Sequence, residues 1–366
     1  MEDKIKRLKL LLKESGSDAI LISSVPNIIY LTSYSGFSYF EREAFLIITN
    51  KENYLITDGR YAEIAADIPG FKLIETSSEN TIDSVFENLG KKIKKIGVEE
   101  NDLSVSEYRK IRKYFKTANL KNLQNLRIIK NDNEIKAIKK ACRIADMAFD
   151  YILRKIKKGV TEKELAFEIG FFIKRGGGDI SFPPIVAFSK NSSIPHHQSS
   201  NRKLKADNIV LLDFGVKFDN YYSDITRTVF FGKADDKFRK IYQTVLTAQQ
   251  KAIHYINLVG RRHPTYEVRA RETRVRDIDE VSRGHITKHG YPTIPHSLGH
   301  GIGIEVHEPP RLSPKSKDIL RPGMVFSIEP GIYIPGYGGV RIEDLVLIKE
   351  NKLEILTHSP KEIIEI

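Results

Sequence analysis

The chain has one cysteine, Cys142, in 366 residues. No disulfide can form within it, and a reducing compartment is expected. Cys142 falls in a helical pattern, where a buried and unreactive thiol is expected. No apolar run approaches the ~18 residues that a membrane-spanning helix requires. The opening segment MEDKIKRLKLLLKESG lacks an apolar signal-peptide core and cleavage site and reads as a charged amphipathic helix. A cytoplasmic protein with no membrane partner is therefore expected. Zinc-finger spacing, an RRM signature and a basic-aromatic stripe are also missing. The net charge is +12, but its lysines are scattered, as in KIKRLK, KKIKK and IKAIKKA, on helix faces expected to be solvated. Specific nucleic-acid recognition is not expected.

The length allows two domains, each able to bury a core, and a hydrophobic content of 40% is ordinary for a soluble globular chain. Residues 1–125 alternate between periods. Helices are predicted over 3–14, 80–93 and 104–116, with strands over 19–24, 43–49, 53–57, 72–76 and 95–99. That pattern predicts an α/β domain. Residues 121–133 read as a connection, and a second domain is expected over 132–366. Its first helix presents Ile135, Ile138, Cys142, Ala145, Phe149, Ile152 and Ile156 at three-to-four spacing. Asn131 with Glu134, and Thr161 with Glu164, read as capping boxes. The second helix should end at Gly176-Gly177-Gly178. A doubled plan is expected. Helices 132–157 and 161–175 lead to one hairpin, and helices near 236–257 and 275–289 lead to another.

Five residues carry the chemistry: Asp213, Asp224, His300, Glu329 and Glu343, in LLDFG, YYSDITRT, HSLGHGIG, SIEPGIY and GVRIEDLVL. Singly, each has an ordinary explanation, such as a turn residue, a strand end before Pro330, a solvated Glu343-Asp344 pair or a structural histidine. Jointly they do not. Apolar strands are depleted in Asp and Glu, and burying an unpaired carboxylate is costly. Four carboxylates and an imidazole suit two divalent cations, with Mn²⁺ or Co²⁺ favoured and Zn²⁺ possible. Such a pair can activate water and polarise a carbonyl, which points to a hydrolase.

Strands 209–214 and 221–231 flank KFDN. A turn at Phe218-Asp219 puts Asp213 opposite Asp224. A turn at Asp219-Asn220 moves the pairing by two residues and keeps both on one face, whereas a slip of one would separate them. In the hairpin 325–334/339–348, Glu329 and Glu343 are equidistant from Gly336. Near His300, Gly299, Gly301 and Gly303 permit close backbone approach. A histidine that is not a ligand can donate to an oxyanion; His307 is the first choice and His296 the second. Arg341 projects to the same side of its strand as Glu343. It would either clamp a substrate carboxylate or neutralise the acidic cluster.

PHSLGHGIGIEVHEPP (295–310), IEPGIY (328–333), GVRIED (339–344) and the LDFG…SDITRT block resemble the pita-bread metallopeptidases, in the Xaa-Pro aminopeptidase and Xaa-Pro dipeptidase (prolidase) branch. The resemblance covers nearly the whole chain and is most specific over 182–232 and 285–348. It implies a creatinase/prolidase-like N-terminal α/β domain followed by a C-terminal pita-bread α+β catalytic domain. It assigns Asp213 to one metal, Asp224 and Glu343 to both, and His300 and Glu329 to the other. His196, His296, His307 and Arg341 fall in the substrate site, with Phe182 and Val306 as an apolar wall for a proline ring. His197, beside His196, is expected to be a bystander. Glu329 would carry a proton from water to the leaving nitrogen, which in an Xaa-Pro bond has no N–H. Proline-containing peptides are the implied substrates, and the N-terminal domain would build a homodimer and wall the site.

Three alternatives use the same scaffold: a methionine aminopeptidase, a creatinase-like hydrolase and a non-catalytic binding protein. The last two lose metal ligands, and methionine aminopeptidases usually lack the N-terminal domain. Aminopeptidase and dipeptidase are both open. One segment departs from the pattern: NLVGRRHPTYEVRARETRVRD (257–277) is Arg-rich where the family has a short turn and a helix start. It is expected to be local divergence or a sequence irregularity, the functional alternative being a basic surface or a substrate-gating segment.

Overall fold

The computed structural model describes residues 2–120, 123–261, 273–350 and 352–366. The centre of the Arg-rich segment, 262–272, lies outside the described residues. The chain divides into two compact units, Met1–Arg127 and Ile128–Ile366. No helix among the described residues is long and apolar enough to cross a membrane.

The first unit runs α1 (Glu2–Ser15), β1 (Ala19–Ile22), α2 (Val25–Thr32), β2 (Ala44–Thr49), β3 (Asn53–Asp58), α3 (Ala62–Ala66), β4 (Lys72–Thr76), α4 (Ile82–Gly90), β5 (Lys95–Glu99), α5 (Val105–Tyr114) and β6 (Lys116–Leu120). The strands form one sheet in the order β4-β3-β2-β1-β5-β6. β2 is antiparallel to both neighbours, and the other pairings are parallel. β1 is buried throughout, as a strand covered on both faces should be. Leu21, Phe45 and Val98 pack with Phe86, Ile111 and Phe115 in one core cluster. α5 opens with a capping box between Ser104 and Glu107. Sequence periodicity did not predict α2 or β6. The apolar α2 run VPNIIYLT is too short for a helical period to show, and it begins on a proline at a helix start.

In the second unit, α6 (Asp132–Leu153) and α7 (Glu162–Arg175) both open with the expected capping boxes. α6 buries Ile138, Cys142, Ala145, Phe149 and Ile152, and burial pushes the Cys142 thiol well up. There follow β7 (Asp179–Ile180), β8 (Ile185–Phe188), β9 (Asn208–Phe214), β10 (Val216–Phe218), β11 (Tyr221–Tyr222) and β12 (Ile225–Phe231). After α8 (Asp236–Arg261) and α9 (Val275–Lys288) come β13 (Gly299–Gly301), β14 (Glu308–Leu312), β15 (Val325–Ile328), β16 (Gly331–Ile334), β17 (Gly338–Arg341), β18 (Asp344–Ile348) and β19 (Leu353–Ile355). Each helix pair thus precedes one long hairpin. α6 and α7 pack a core with β8, β9 and β12; α8 and α9 pack one with β15, β17 and β18.

Registers place the acids. Phe218 pairs with Tyr221, so the first turn is Asp219-Asn220, with φ of 47° and 68°. Two left-handed residues make the type I′ turn that matches strand twist, and Asp and Asn tolerate that region where Phe does not. Asp213 therefore pairs with Thr226. Direct opposition of Asp213 and Asp224 is not observed; Asp224 sits two positions on, with the same parity. In the second hairpin Ile328 pairs with Asp344 and Gly331 with Arg341. One register runs through both ladders, leaving Glu329 opposite Glu343 at the interruption between them.

Candidate metal centre

Three of the acids sit where the ladders break. Asp224 falls between β11 and β12, Glu329 between β15 and β16, and Glu343 between β17 and β18. Pro330 has no N–H to continue a ladder. Freed backbone groups tie the segments together instead. Glu343 N donates to Thr226 O (3.1 Å), and Glu329 N donates to Leu298 O (2.8 Å). His300 comes from β13, which lies tight against β15; a Cβ on Gly299 would stand 1.9 Å from Ser327 O.

Ligand atoms of Asp224, His300 and Glu343 lie within 4.8 Å of one another. Glu329 joins them, its Oε1 being 3.4 Å from His300 Nε2, while Asp224 Oδ2 is 3.7 Å from that nitrogen. His300 Nδ1 donates to Gly301 O (3.1 Å), with the Val306 carbonyl also in reach. That bond assigns the proton to Nδ1 and turns the Nε2 lone pair toward the carboxylates. Burial, then His307, hold the His300 pKa down at about 3, so the ring is neutral.

Asp213 is held differently. Its Oδ2 accepts from Arg341 Nη2 (2.5 Å). Arg341 also donates to Thr226 Oγ1 (3.0 Å) and to Tyr333 OH (2.9 Å). Of the two roles expected for Arg341, neutralising the acidic cluster is the one these contacts perform. Thr226 Oγ1 in turn donates to Glu343 Oε2 (2.8 Å).

The acids are not satisfied by this network. Asp224 Oδ1 and Glu343 Oε1 are buried without a hydrogen-bond partner. Burial pushes Asp224 and Glu329 well above the carboxylate range, with Glu343 the next cause for both. Glu343 is pushed up to about 7 by burial and then Asp213. Asp213 is raised by burial against the opposing pull of Arg341. Buried acceptors and a ring lone pair converging without donors repel one another, and a bound cation removes that cost. The donor set, oxygen-rich with one imidazole, fits divalent metal ions.

The substrate residues fall around this cluster unevenly. His307 is exposed, its ring centre 4.3 Å from that of His300. His196 is exposed as well and interacts electrostatically with Asp213, His296 and His307. Val306 and Phe182 are half-buried. Phe182 follows Ser181, whose hydroxyl donates to Ser223 O (2.9 Å) beside Asp224. His296 is engaged at both ring nitrogens. Its Nδ1 donates to Ser297 O (2.7 Å), and its Nε2 lies 2.8 Å from Tyr333 OH. With Nδ1 carrying the proton, Nε2 accepts from the tyrosine, and no N–H is left for an oxyanion. Burial, then Arg341, hold the His296 pKa down at about 4.

Sequence reasoning missed Thr226, Tyr333, Arg227 and Asp344. Arg227 is 1% exposed and donates to Glu343 O, to Asp344 Oδ1 (2.7 Å) and to Ser359 O (2.8 Å). Lys361 Nζ reaches the other Asp344 oxygen at 2.6 Å. A charged residue inside the apolar run ITRTVFF was a signal of the same kind that singled out Asp224.

Comparison with known proteins agrees with this architecture. Residues 136–350 match the model of metallopeptidase family M24, and residues 4–129 match the creatinase/prolidase N-terminal domain. The chain is 34% identical to a Xaa-Pro dipeptidase of Pyrococcus horikoshii, over 100% of this chain and 99% of that one. A solved Xaa-Pro dipeptidase from Bacillus anthracis superposes with a TM-score of 0.90 at 36% identity, covering 100% of this chain and 99% of the other. An X-Pro aminopeptidase from Thermotoga maritima gives 0.84 at 32% identity, covering 96% and 98%. The chain belongs to metallopeptidase family M24, in its Xaa-Pro peptidase branch, and is a metal-dependent peptidase with a creatinase/prolidase N-terminal domain ahead of its catalytic domain.

Proposed function

We propose that the protein is a two-metal exopeptidase that hydrolyses the bond before proline, in Xaa-Pro dipeptides or at the N-termini of Xaa-Pro peptides. The observation that carries this reading is the buried donor set whose oxygens Asp224 Oδ1 and Glu343 Oε1 have no protein partner. Asp213, Asp224, His300, Glu329 and Glu343 would hold the metals. Mn²⁺ or Co²⁺ suits the carboxylate-rich set better than Zn²⁺. When bound, such ions lower the pKa of water toward neutrality and polarise a carbonyl.

The chain's own groups supply the rest. Glu329 is the proton shuttle, because Ser327 Oγ orients its carboxylate at 3.2 Å and its ordinary pKa is raised by burial, which suits a base that must return its proton. His307 donates to the oxyanion, since its exposed ring stands beside His300 and His296 is occupied by Tyr333. Arg341 holds Asp213 through its guanidinium and opposes the rise that burial imposes on its pKa. Phe182 and Val306 form the apolar wall for the proline ring. A homodimer and a cytoplasmic location go with this reading. Its test is a steady-state comparison of matched peptides with Mn²⁺ present. Ala-Pro or Ala-Pro-Ala should be preferred over Ala-Ala or Ala-Ala-Ala by at least about a hundredfold in kcat/KM. Equal rates on Met-Ala peptides would transfer the assignment to a methionine aminopeptidase.

A further inference from the structure

A second buried carboxylate lies outside the donor set. Glu162 opens α7 and is fully buried. Its Oε1 accepts from Phe188 N (2.7 Å) and Asn191 Nδ2 (2.8 Å). Its Oε2 accepts from Ser200 N (2.9 Å), Ser200 Oγ (2.6 Å) and His197 Nε2 (2.8 Å). All five donors come from residues 188–200, so one carboxylate gathers a whole loop. Burial works against ionisation of Glu162, yet Ser200, His197, Phe188 and Asn191 outweigh it and hold its pKa below the ordinary value. A carboxylate with this many donors is a fixed point in the interior.

The same loop is tied on its other side to the metal hairpin. Ser192 Oγ accepts from Gly339 N at 2.8 Å. Pro195 O accepts from Arg341 Nη1 at 3.4 Å, and that guanidinium also holds Asp213. His196 lies between these two attachments, one residue from Pro195 and one from His197. It is exposed, whereas the His197 side chain is 12% exposed. The expectation that His197 is a bystander leaves this contact without a purpose.

We propose that Glu162 and His197 are positioning residues that hold the 188–200 loop so that His196 faces the substrate. This rests on the Xaa-Pro peptidase reading, in which His196 binds substrate. Neither residue contributes to the metal donor set, so their loss should act through His196 and leave metal binding intact.

The test is a double-mutant cycle in the full-length Mn²⁺-loaded enzyme with Ala-Pro as substrate. His197→Ala should lower kcat/KM roughly ten- to a hundredfold, as small misplacements of a substrate-contacting group do. His197→Gln, which restores an N–H donor, should recover most of it. In a His196→Ala background, both His197→Ala and Glu162→Gln should cost less than about twofold more, because residues acting through one group are not additive. Metal content by elemental analysis should equal that of the parent in every variant. Full additivity with His196→Ala, a wild-type rate for His196→Ala, no rescue by His197→Gln, or metal loss parallel to activity loss would each overturn the proposal. A second readout does not depend on the substrate assignment. In metal-free protein with labelled histidines, His197→Ala should shift and broaden the His196 ring resonance while leaving that of His254 in place. If wild-type enzyme fails to cleave Ala-Pro, the functional reading fails, and the His196 resonance alone decides the positioning role. An unmoved resonance would refute it.

Discussion

At the scale of single residues, the candidate metal centre is a set of acids brought together against their own repulsion. Asp224→Asn replaces a carboxylate that has an unpartnered oxygen by a neutral amide. It should lose most activity, about a hundredfold or more in kcat, together with metal affinity measured by titration calorimetry. A near-wild-type rate would remove Asp224 from the centre. In the metal-free protein Glu343 contributes a pH dependence of unusual sign. Glu343 is raised from 4.5 to about 7, so between those values the native state is protonated and the unfolded chain is ionised. At this group the native protein then binds more protons, and its contribution to stability falls as pH rises. Metal-free wild type should therefore lose at least about 1 kcal/mol more between pH 5 and pH 7 than metal-free Glu343→Gln in urea melts, because both share the opposite contribution of the lowered His296 and His300. Mn²⁺ should reverse the trend, because bound metal competes with those protons. The same pH dependence in wild type and Glu343→Gln would show that Glu343 is not desolvated as described.

At the scale of elements, the two hairpins do the positioning. Parity along a strand puts Asp224 on the side of Asp213, and a constant register keeps Glu329 opposite Glu343. Asp219 and Asn220 hold the first turn with positive φ. Asn220→Gly should be neutral or slightly stabilising, whereas Asn220→Val should destabilise by about 1–2 kcal/mol because β-branched residues resist the left-handed region. Equal melting temperatures for the two variants would argue against a type I′ turn. The β13–β15 contact is less forgiving. A Cβ at Gly299 would meet Ser327 O at 1.9 Å, so Gly299→Ala must push β13 away and carry His300 with it. Such overpacking costs about 1–3 kcal/mol. Metal affinity should fall alongside melting temperature, which calorimetry of the purified variant can read.

At the scale of the whole molecule, binding to the native state alone should stabilise it by mass action, about 4 kcal/mol at a thousandfold excess over Kd. Chelation should therefore lower the melting temperature of the catalytic unit and abolish activity, and Mn²⁺ or Co²⁺ should restore both. Full activity in rigorously metal-free protein would sink the assignment. Light scattering at assay concentration should report a dimer; a fully active monomer would contradict the proposed assembly.

Much of this was determined by the sequence itself. Acids inside β-branched strands are rare enough that five residues in five short motifs defined a metal-binding chemistry, and helical spacing with capping boxes located α6 and α7 correctly. These signals are local, carried by nearest neighbours and by side-chain periodicity. The α2 run is too short for a helical period, and β6, KTANL, is polar with no fully buried residue, so neither was legible. Which turn residues would adopt positive φ decided that Asp213 pairs with Thr226, and only the folded hairpin showed it. Only tertiary structure decided that Arg341 turns to Asp213, that Tyr333 occupies His296, that Arg227 joins Glu343 to Asp344 and Ser359, and that Glu162 gathers the 188–200 loop. Those contacts join residues 26 to 132 positions apart, and no local pattern records which of many distant partners a buried charge will meet.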